Sequence, residues 1–250
     1  MNSKWRVIGV LLPLLPLLAA CGGNNSAATA KPAPVESTTV AARGATAAPR
    51  GATTAAGAAG RTAVPRVLFL GTSLTAGFGL DDPEHDAYPA VIQRIADSAG
   101  VKALVVNAGL SGETSAGALR RVDWLLREKP DVVVIETGAN DGLRGLNPDS
   151  TAANIRQIIM RIRAGNAASR ILLVQMEAPT NLGPTYTKDF HALFGKVAAD
   201  EKVPLSPFLL DHVAGIAKLN QGDGIHPTPE GARIAAHNLW PSLESVLARR

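Results

Sequence analysis

The feature that most restricts the fold is an alternation that begins near residue 65. Unbroken aliphatic runs, Arg66 to Leu70, Ala103 to Val106, Val132 to Ile135 and Ile171 to Val174, are separated by longer stretches whose apolar residues recur at helical spacing. Short runs without polar interruption are expected of strands covered on both faces, since a half-exposed strand alternates apolar with polar residues. Between them, Pro89, Ile92, Ile95 and Ala96 share one face of a helix over Tyr88 to Ser98. Leu119, Val122 and Leu126 do the same over Ser115 to Glu128, and Ile155, Ile158, Ile159 and Ile162 over Ala153 to Arg163. Thr187 to Asp200 and Pro229 to Ala248 read as two further helices. This pattern predicts an α/β fold, a three-layer α/β/α sandwich with a mostly parallel sheet and right-handed crossovers.

The first 64 residues follow other rules. Lys4 and Arg6 precede an almost wholly apolar stretch from Val7 to Ala20, closed by Leu18-Ala19-Ala20-Cys21. A basic start, a short apolar core and small residues at its end are the parts of a secretory signal, and two prolines argue against a spanning helix. Leu-Ala-Ala-Cys followed by Gly22 resembles the bacterial lipoprotein signal, which implies a mature chain that begins at lipid-modified Cys21 in the cell envelope, facing the periplasm and held at the outer membrane. An ordinary secreted protein is the alternative. Residues 22–64 are Ala, Thr, Gly, Pro and Ser with few large apolar groups. Such a stretch buries too little surface to offset its ordering entropy and is expected to be a disordered tether. The expected organisation is a signal over 1–20, a linker over 22–64 and one domain over 65–250.

The net charge of +4 is not a property of that domain. Lys4 and Arg6 carry +2, and Lys31, Arg43, Arg50 and Arg61 against Glu36 carry +3, which leaves the rest of the chain at −1. A near-neutral domain without a basic face or aromatic-basic interleaving gives no support to nucleic-acid binding. Cys21 is the single cysteine, so neither an internal disulfide nor a cysteine-rich zinc site can form. No two histidines stand at metal-ligand spacing, and no cofactor is expected.

Open parallel sheets bind ligands beyond the carboxyl ends of their strands, so the residues after each run carry the chemistry. After the first run come Gly71-Thr72-Ser73, after the second Asn107-Ala108-Gly109-Leu110-Ser111-Gly112, and after the third Thr137-Gly138-Ala139-Asn140-Asp141. A serine hydroxyl needs a neighbouring base, usually a histidine held by a third group. His226, with Asp223 three residues before it in a turn with two glycines, offers such a pair. Asp82 and His85 have the same spacing, but in a Pro-containing acidic loop close after Ser73 that reads as a rim. His191, His212 and His237 read as surface or packing residues. Donors for an oxyanion are available in the backbone N–H of Ser73 and of Gly112 and in the side-chain amide of Asn140.

Gly71-Thr72-Ser73-Leu74, the Gly112 segment, Gly138-Ala139-Asn140-Asp141 and Asp223-Gly-Ile-His226-Pro227 resemble, in order, the four blocks of the SGNH (GDSL-type) hydrolase family. Glu136-Thr-Gly-Ala-Asn-Asp-Gly-Leu-Arg-Gly145 is most similar to the branch with arylesterases, acyl-CoA thioesterase I and lysophospholipase L1. The resemblance implies a flavodoxin-like sandwich, Ser73 as nucleophile, His226 as base, Asp223 as its orienting acid, and Ser73, Gly112 and Asn140 as the oxyanion hole. It also implies an esterase acting on short- to medium-chain carboxylic esters, thioesters or lysophospholipids through an acyl-enzyme. A carbohydrate O-deacetylase or acyltransferase on envelope glycans, and a non-catalytic acyl- or glycan-binding module, are the rival readings. One position departs from the family pattern, because Thr72 stands where Asp usually precedes the serine. Leu74, Phe78 and Leu80, Leu143 to Leu146, and Pro179 to Tyr186 are candidate walls for an acyl chain, with core packing or loop anchoring as the equal alternative.

Overall fold

A computed structural model describes residues 64–249; Cys21, the expected signal and the expected linker lie outside the described residues. Five strands, β1 (Arg66–Gly71), β2 (Leu104–Gly109), β3 (Val132–Ile135), β4 (Arg170–Gln175) and β5 (Leu205–Phe208), form one sheet in the order β2-β1-β3-β4-β5. Every neighbouring pair is parallel. The eight α-helices are α1 (Ser73–Ala76), α2 (Pro83–Asp86), α3 (Tyr88–Ser98), α4 (Ser115–Leu125), α5 (Ala139–Leu143), α6 (Pro148–Gly165), α7 (Pro184–Asp200) and α8 (Pro229–Ala248). Among them α3 packs with α8, and α4 packs with α6, which packs with α7, giving a helical layer on each side of the sheet. The expected α/β/α sandwich is the observed one.

The core runs along β1, β3 and β4, whose aliphatic side chains are buried from both layers. Each such side chain contributes on the order of 1.5–3 kcal/mol. Ile155, Ile158, Ile159 and Ile162, spaced on one stripe of α6, and Phe190, Phe194 and Val197 of α7 are fully buried. That central strip fixes the height at which the loops after β1 and β3 leave the sheet.

Three differences from the sequence pattern have physical causes. β2 is continuous in aliphatic residues yet only half-covered, because it is an edge strand. Its backbone is shielded by the Gln93 side chain, which accepts from the Val105 N–H at 2.9 Å and donates to the Ala103 carbonyl at 3.0 Å. β5 carries Pro207 and gave no strand signal; at the opposite edge a strand tolerates the missing N–H. α6 begins five residues before the helix expected from Ala153, at Pro148, since the Asn147 side chain caps it by accepting from the Asp149 and Ser150 N–H groups.

Candidate active site

The first block lies where β1 turns into α1. Thr72 is the N-cap of α1 and Ser73 its first residue, so the Ser73 N–H has no partner within the helix. The turn is held from below by Glu136, a fully buried residue just past the end of β3. Its carboxylate accepts from the Thr72 N–H (2.8 Å), the Thr72 hydroxyl (2.9 Å) and the Thr75 hydroxyl (2.9 Å), and the Tyr88 hydroxyl lies 2.7 Å from Thr75 Oγ1. Burial pushes the Glu136 carboxyl up to about 7, against the pull of the bonds from Thr72 and Thr75. Burial, and then the Glu136 charge, raise the Tyr88 phenol. Glycine is required at 71, because a Cβ there would lie 1.8 Å from Thr75 Oγ1 and 2.8 Å from Glu136 Oε2. Thr72, the departure from the family pattern, thus supplies a hydroxyl donor where Asp would set a second carboxylate beside Glu136.

The last block approaches from the loop before α8. Asp223 Oδ1 accepts from the backbone N–H of Ile225 (2.9 Å) and of His226 (3.0 Å), which folds the carboxylate over the turn. Gly224 makes this possible with φ +71°. The second oxygen, Oδ2, then lies 2.6 Å from His226 Nδ1. His226 Nε2 lies 2.9 Å from Ser73 Oγ, across 153 residues of sequence. The hydrogen bond from the imidazole, joined by those from the two N–H groups, holds the Asp223 carboxyl at about 2. The Phe78 ring leans on the His226 ring with centroids 4.8 Å apart.

The second and third blocks are locked to each other. Asn140, on α5, donates its amide to the Glu113 carbonyl at 3.0 Å, and Arg144 donates to the Gly112 carbonyl at 3.0 Å. Gly112 has φ +77°, and its N–H meets no protein acceptor among the described residues. Buried Asp141 accepts from the Ser115 N–H and hydroxyl and from the Thr151 hydroxyl, which fixes the start of α4. Arg121 clasps Glu113 through Nε and Nη2 and reaches the carbonyls of Gly71 and Ala108. This ion pair of a buried Glu113 and a half-buried Arg121 ties the end of β1 to the loop after β2, and removing Arg121 would leave a buried carboxylate unpaired at a cost of up to about 3–5 kcal/mol.

The other histidines lie elsewhere. His85 faces Asp86 (2.7 Å), not Asp82, and His191 faces Glu177 (2.6 Å); both are exposed, as are His212 and His237. Among the named acyl walls, Leu74, Phe78 and Leu80 line a cavity of about 10 Å³ beside Ser73 and His226, too small for more than a methyl or a water. Two larger hollows flank β2, others lie against α6, and none of them contains the four blocks' nucleophile, base, acid or amide. The loops at the carboxyl ends of the strands instead carry an exposed apolar rim: Phe78 after β1, Leu110 after β2, Leu143 and Leu146 after β3, Leu182 after β4 and Ile225 after β5. Glu136, Glu113 with Arg121, and Gln221 were not picked out as site residues from the sequence. A glutamate directly after an all-aliphatic strand was the one signal available, since a charge there must be buried.

A serine hydroxyl on an imidazole that is itself held by a carboxylate, above the carboxyl ends of a parallel sheet, defines a serine hydrolase of the α/β class. The family follows from comparison: residues 69–234 match the model of the GDSL-like Lipase/Acylhydrolase family, and the chain belongs to it. It is 40% identical over 188 residues to esterase TesA of Pseudomonas aeruginosa, across 75% of this chain and 92% of that one. It is 40% identical over 186 residues to thioesterase 1/protease 1/lysophospholipase L1 of Escherichia coli K12, across 74% and 86%. The crystal structure of the psychrotrophic esterase EstA from Pseudoalteromonas sp., inhibited by monoethylphosphonate, matches with a TM-score of 0.69 at 32% identity, over 74% of this chain and 99% of that one. The protein is a carboxylic ester hydrolase, a serine esterase of the SGNH type.

Proposed function

We propose that the protein hydrolyses short- to medium-chain carboxylic esters, with thioesters and lysophospholipids in the same substrate class, through an acyl-enzyme on Ser73. The observation that carries this reading is the 2.9 Å approach of Ser73 Oγ to His226 Nε2 while Asp223 occupies Nδ1. With Nδ1–H donated to Asp223, Nε2 is the acceptor that takes the serine proton as Oγ attacks the ester carbonyl. The C=O bond opens to an oxyanion, stabilised by the Ser73 and Gly112 N–H groups and the Asn140 amide; each such donor is worth on the order of a hundred- to a thousandfold in turnover. His226 then gives its proton to the leaving alkoxide or thiolate, which departs as alcohol or thiol. Water enters, loses a proton to Nε2 and attacks the acyl carbonyl. The acid and free Ser73 are regenerated.

The shape of the site supports the substrate class. The cavity beside the serine cannot hold an acyl chain, so the chain would lie across the apolar rim, where Phe78 is 52% exposed and Leu110 51%. Relatives named as thioesterase, lysophospholipase and arylesterase support the same range. For location, the Leu-Ala-Ala-Cys pattern at 18–21 supports an envelope protein lipidated at Cys21 and facing the periplasm, with secretion as the outcome if the lipid is not added. The test is hydrolysis of p-nitrophenyl esters of graded chain length by the parent and by Ser73→Ala, with a fluorophosphonate probe. The parent is labelled and turns over; Ser73→Ala loses at least about a thousandfold in kcat and all labelling. Undiminished turnover by Ser73→Ala would sink the assignment.

A further inference from the structure

The two partners whose hydroxyl and imidazole meet at 2.9 Å come from opposite ends of the chain, and something must set that distance. The backbone of one is joined to the backbone of the other through two residues outside the triad, Phe78 and Gln221. The Phe78 N–H donates to the Ser73 carbonyl at 3.0 Å. The Phe78 carbonyl accepts from the Gln221 side-chain amide at 2.8 Å, and the same nitrogen donates to the carbonyl of Pro227, next to the histidine, at 2.9 Å. The Gln221 backbone N–H donates to the His226 carbonyl at 2.7 Å. Both acceptors of the side-chain nitrogen are carbonyls, so the amide orientation is fixed by its partners, and both of its hydrogens are used.

The loop is shaped to receive this amide. Gly79 has φ +75°, and a Cβ there would come within 2.1 Å of Gln221 Oε1. On the other side, Asn220 and Pro227 pair in an antiparallel bridge that closes the base of the turn carrying Asp223 and His226. No ion pair joins this turn to the serine loop among the described residues, and the turn itself is mostly exposed.

We propose that Gln221 is a positioning residue that sets the serine–histidine distance by clamping the Phe78 and Pro227 carbonyls in one amide. It touches no reacting atom, so its loss should lower the rate of attack without weakening the binding of an acyl chain on the rim. A displacement on the order of 1 Å between nucleophile and base can cost about a hundredfold. The inference rests on reading Ser73 and His226 as the reacting pair, and Ser73→Ala separates the two claims. If Ser73→Ala turns over normally, the reading fails; if it is inactive and Gln221 variants are normal, the clamp alone fails.

The experiment compares the parent, Gln221→Leu, Gln221→Ala, Gly79→Ala and the double variant Gln221→Ala with Gly79→Ala, on p-nitrophenyl butyrate, with kcat expressed per fluorophosphonate-titrated site so that a partly unfolded preparation still reports. Gln221→Leu is expected to lower kcat and the labelling rate together by about 10- to 100-fold, with KM within about twofold. Gly79→Ala displaces the same amide and also strains a backbone at φ +75°, so its loss of kcat should be smaller, though not absent, when Gln221 is already Ala. A kcat for Gln221→Leu within about twofold of the parent, a loss seen in KM alone, or losses that multiply in the double variant would each overturn the clamp.

Discussion

Glu136 stands behind the serine, fully buried, and Asp223 stands behind the histidine with 39% of its side chain exposed. Both are carboxylates that accept several hydrogen bonds, yet one is pushed up to about 7 and the other held at about 2. For Glu136 desolvation outweighs the donors from Thr72 and Thr75; for Asp223 solvent access keeps desolvation smaller than the pull of the donors from His226 and Ile225. The difference divides the labour of the site. A carboxylate that must stay charged through the reaction sits near water, on a turn that needs only local bonds. The carboxyl that holds the nucleophile's turn in place sits in the core, where its own charge is expensive.

Asp223→Asn tests the exposed half with the largest expected effect. The amide oxygen of Asn can still accept from the Ile225 and His226 N–H groups, so the turn survives, but the charge that fixes the Nδ1–H tautomer is gone. Turnover should fall by about a thousand- to ten-thousandfold, with little change in Tm. A variant that keeps a tenth of parental kcat would remove Asp223 from the mechanism. Because its pKa is depressed, its contribution to stability is present above about 3.8 and lost as pH falls toward about 2. Exposure keeps that contribution small.

Glu136 predicts the opposite slope. Its folded value is raised from 4.5 to about 7, so between those pH values the folded chain holds a proton that the unfolded chain has released. The contribution of this group is full below about pH 4.5 and is lost as pH rises through about 7, a span worth at most about 3 kcal/mol. Denaturation midpoints measured from pH 5 to pH 8 should therefore fall for the parent and fall less for Glu136→Gln. Equal slopes would mean that Glu136 is not protonated in the folded core. Thr72→Asp sharpens the point, since a second carboxyl at the position of a hydroxyl 2.9 Å from Glu136 would have to share a proton and steepen the same slope.

The exposed half was legible in the sequence and the buried half was not. Asp223, Gly224 and His226 are neighbours in the chain, so their spacing alone carries the turn that joins them. The strands and main helices were legible for the same local reason: the unbroken run Val132 to Ile135 and the isoleucine stripe of α6 each lie within a single element. Glu136, by contrast, meets Thr72 and Thr75 only because β1 and β3 are adjacent in the sheet, and Gln221 meets Phe78 across 143 residues. Such pairs leave no local spacing to read. β5 was hidden by Pro207, and α1, α2 and α5 are too short for a helical period to show.

His85 is where local spacing alone misleads, and it carries the smallest expected effect. Asp82 and His85 repeat the Asp223–His226 separation, and Asp82 Oδ1 even accepts from the His85 N–H at 3.2 Å, as Asp223 does from His226. The backbone between them decides the outcome. Asp82 caps α2 with Pro83 in its first turn, so the chain continues as helix and His85 points outward to pair with Asp86. In the other copy Gly224 takes positive φ, the chain reverses, and the carboxylate reaches the ring. An exposed pair such as His85 with Asp86 contributes about 0–1 kcal/mol. His85→Ala should leave kcat and KM within about twofold of the parent and Tm within a few degrees. A tenfold loss of turnover would show that the acidic loop after α1 takes part in the reaction, and that the separation between the two halves of the site is drawn in the wrong place.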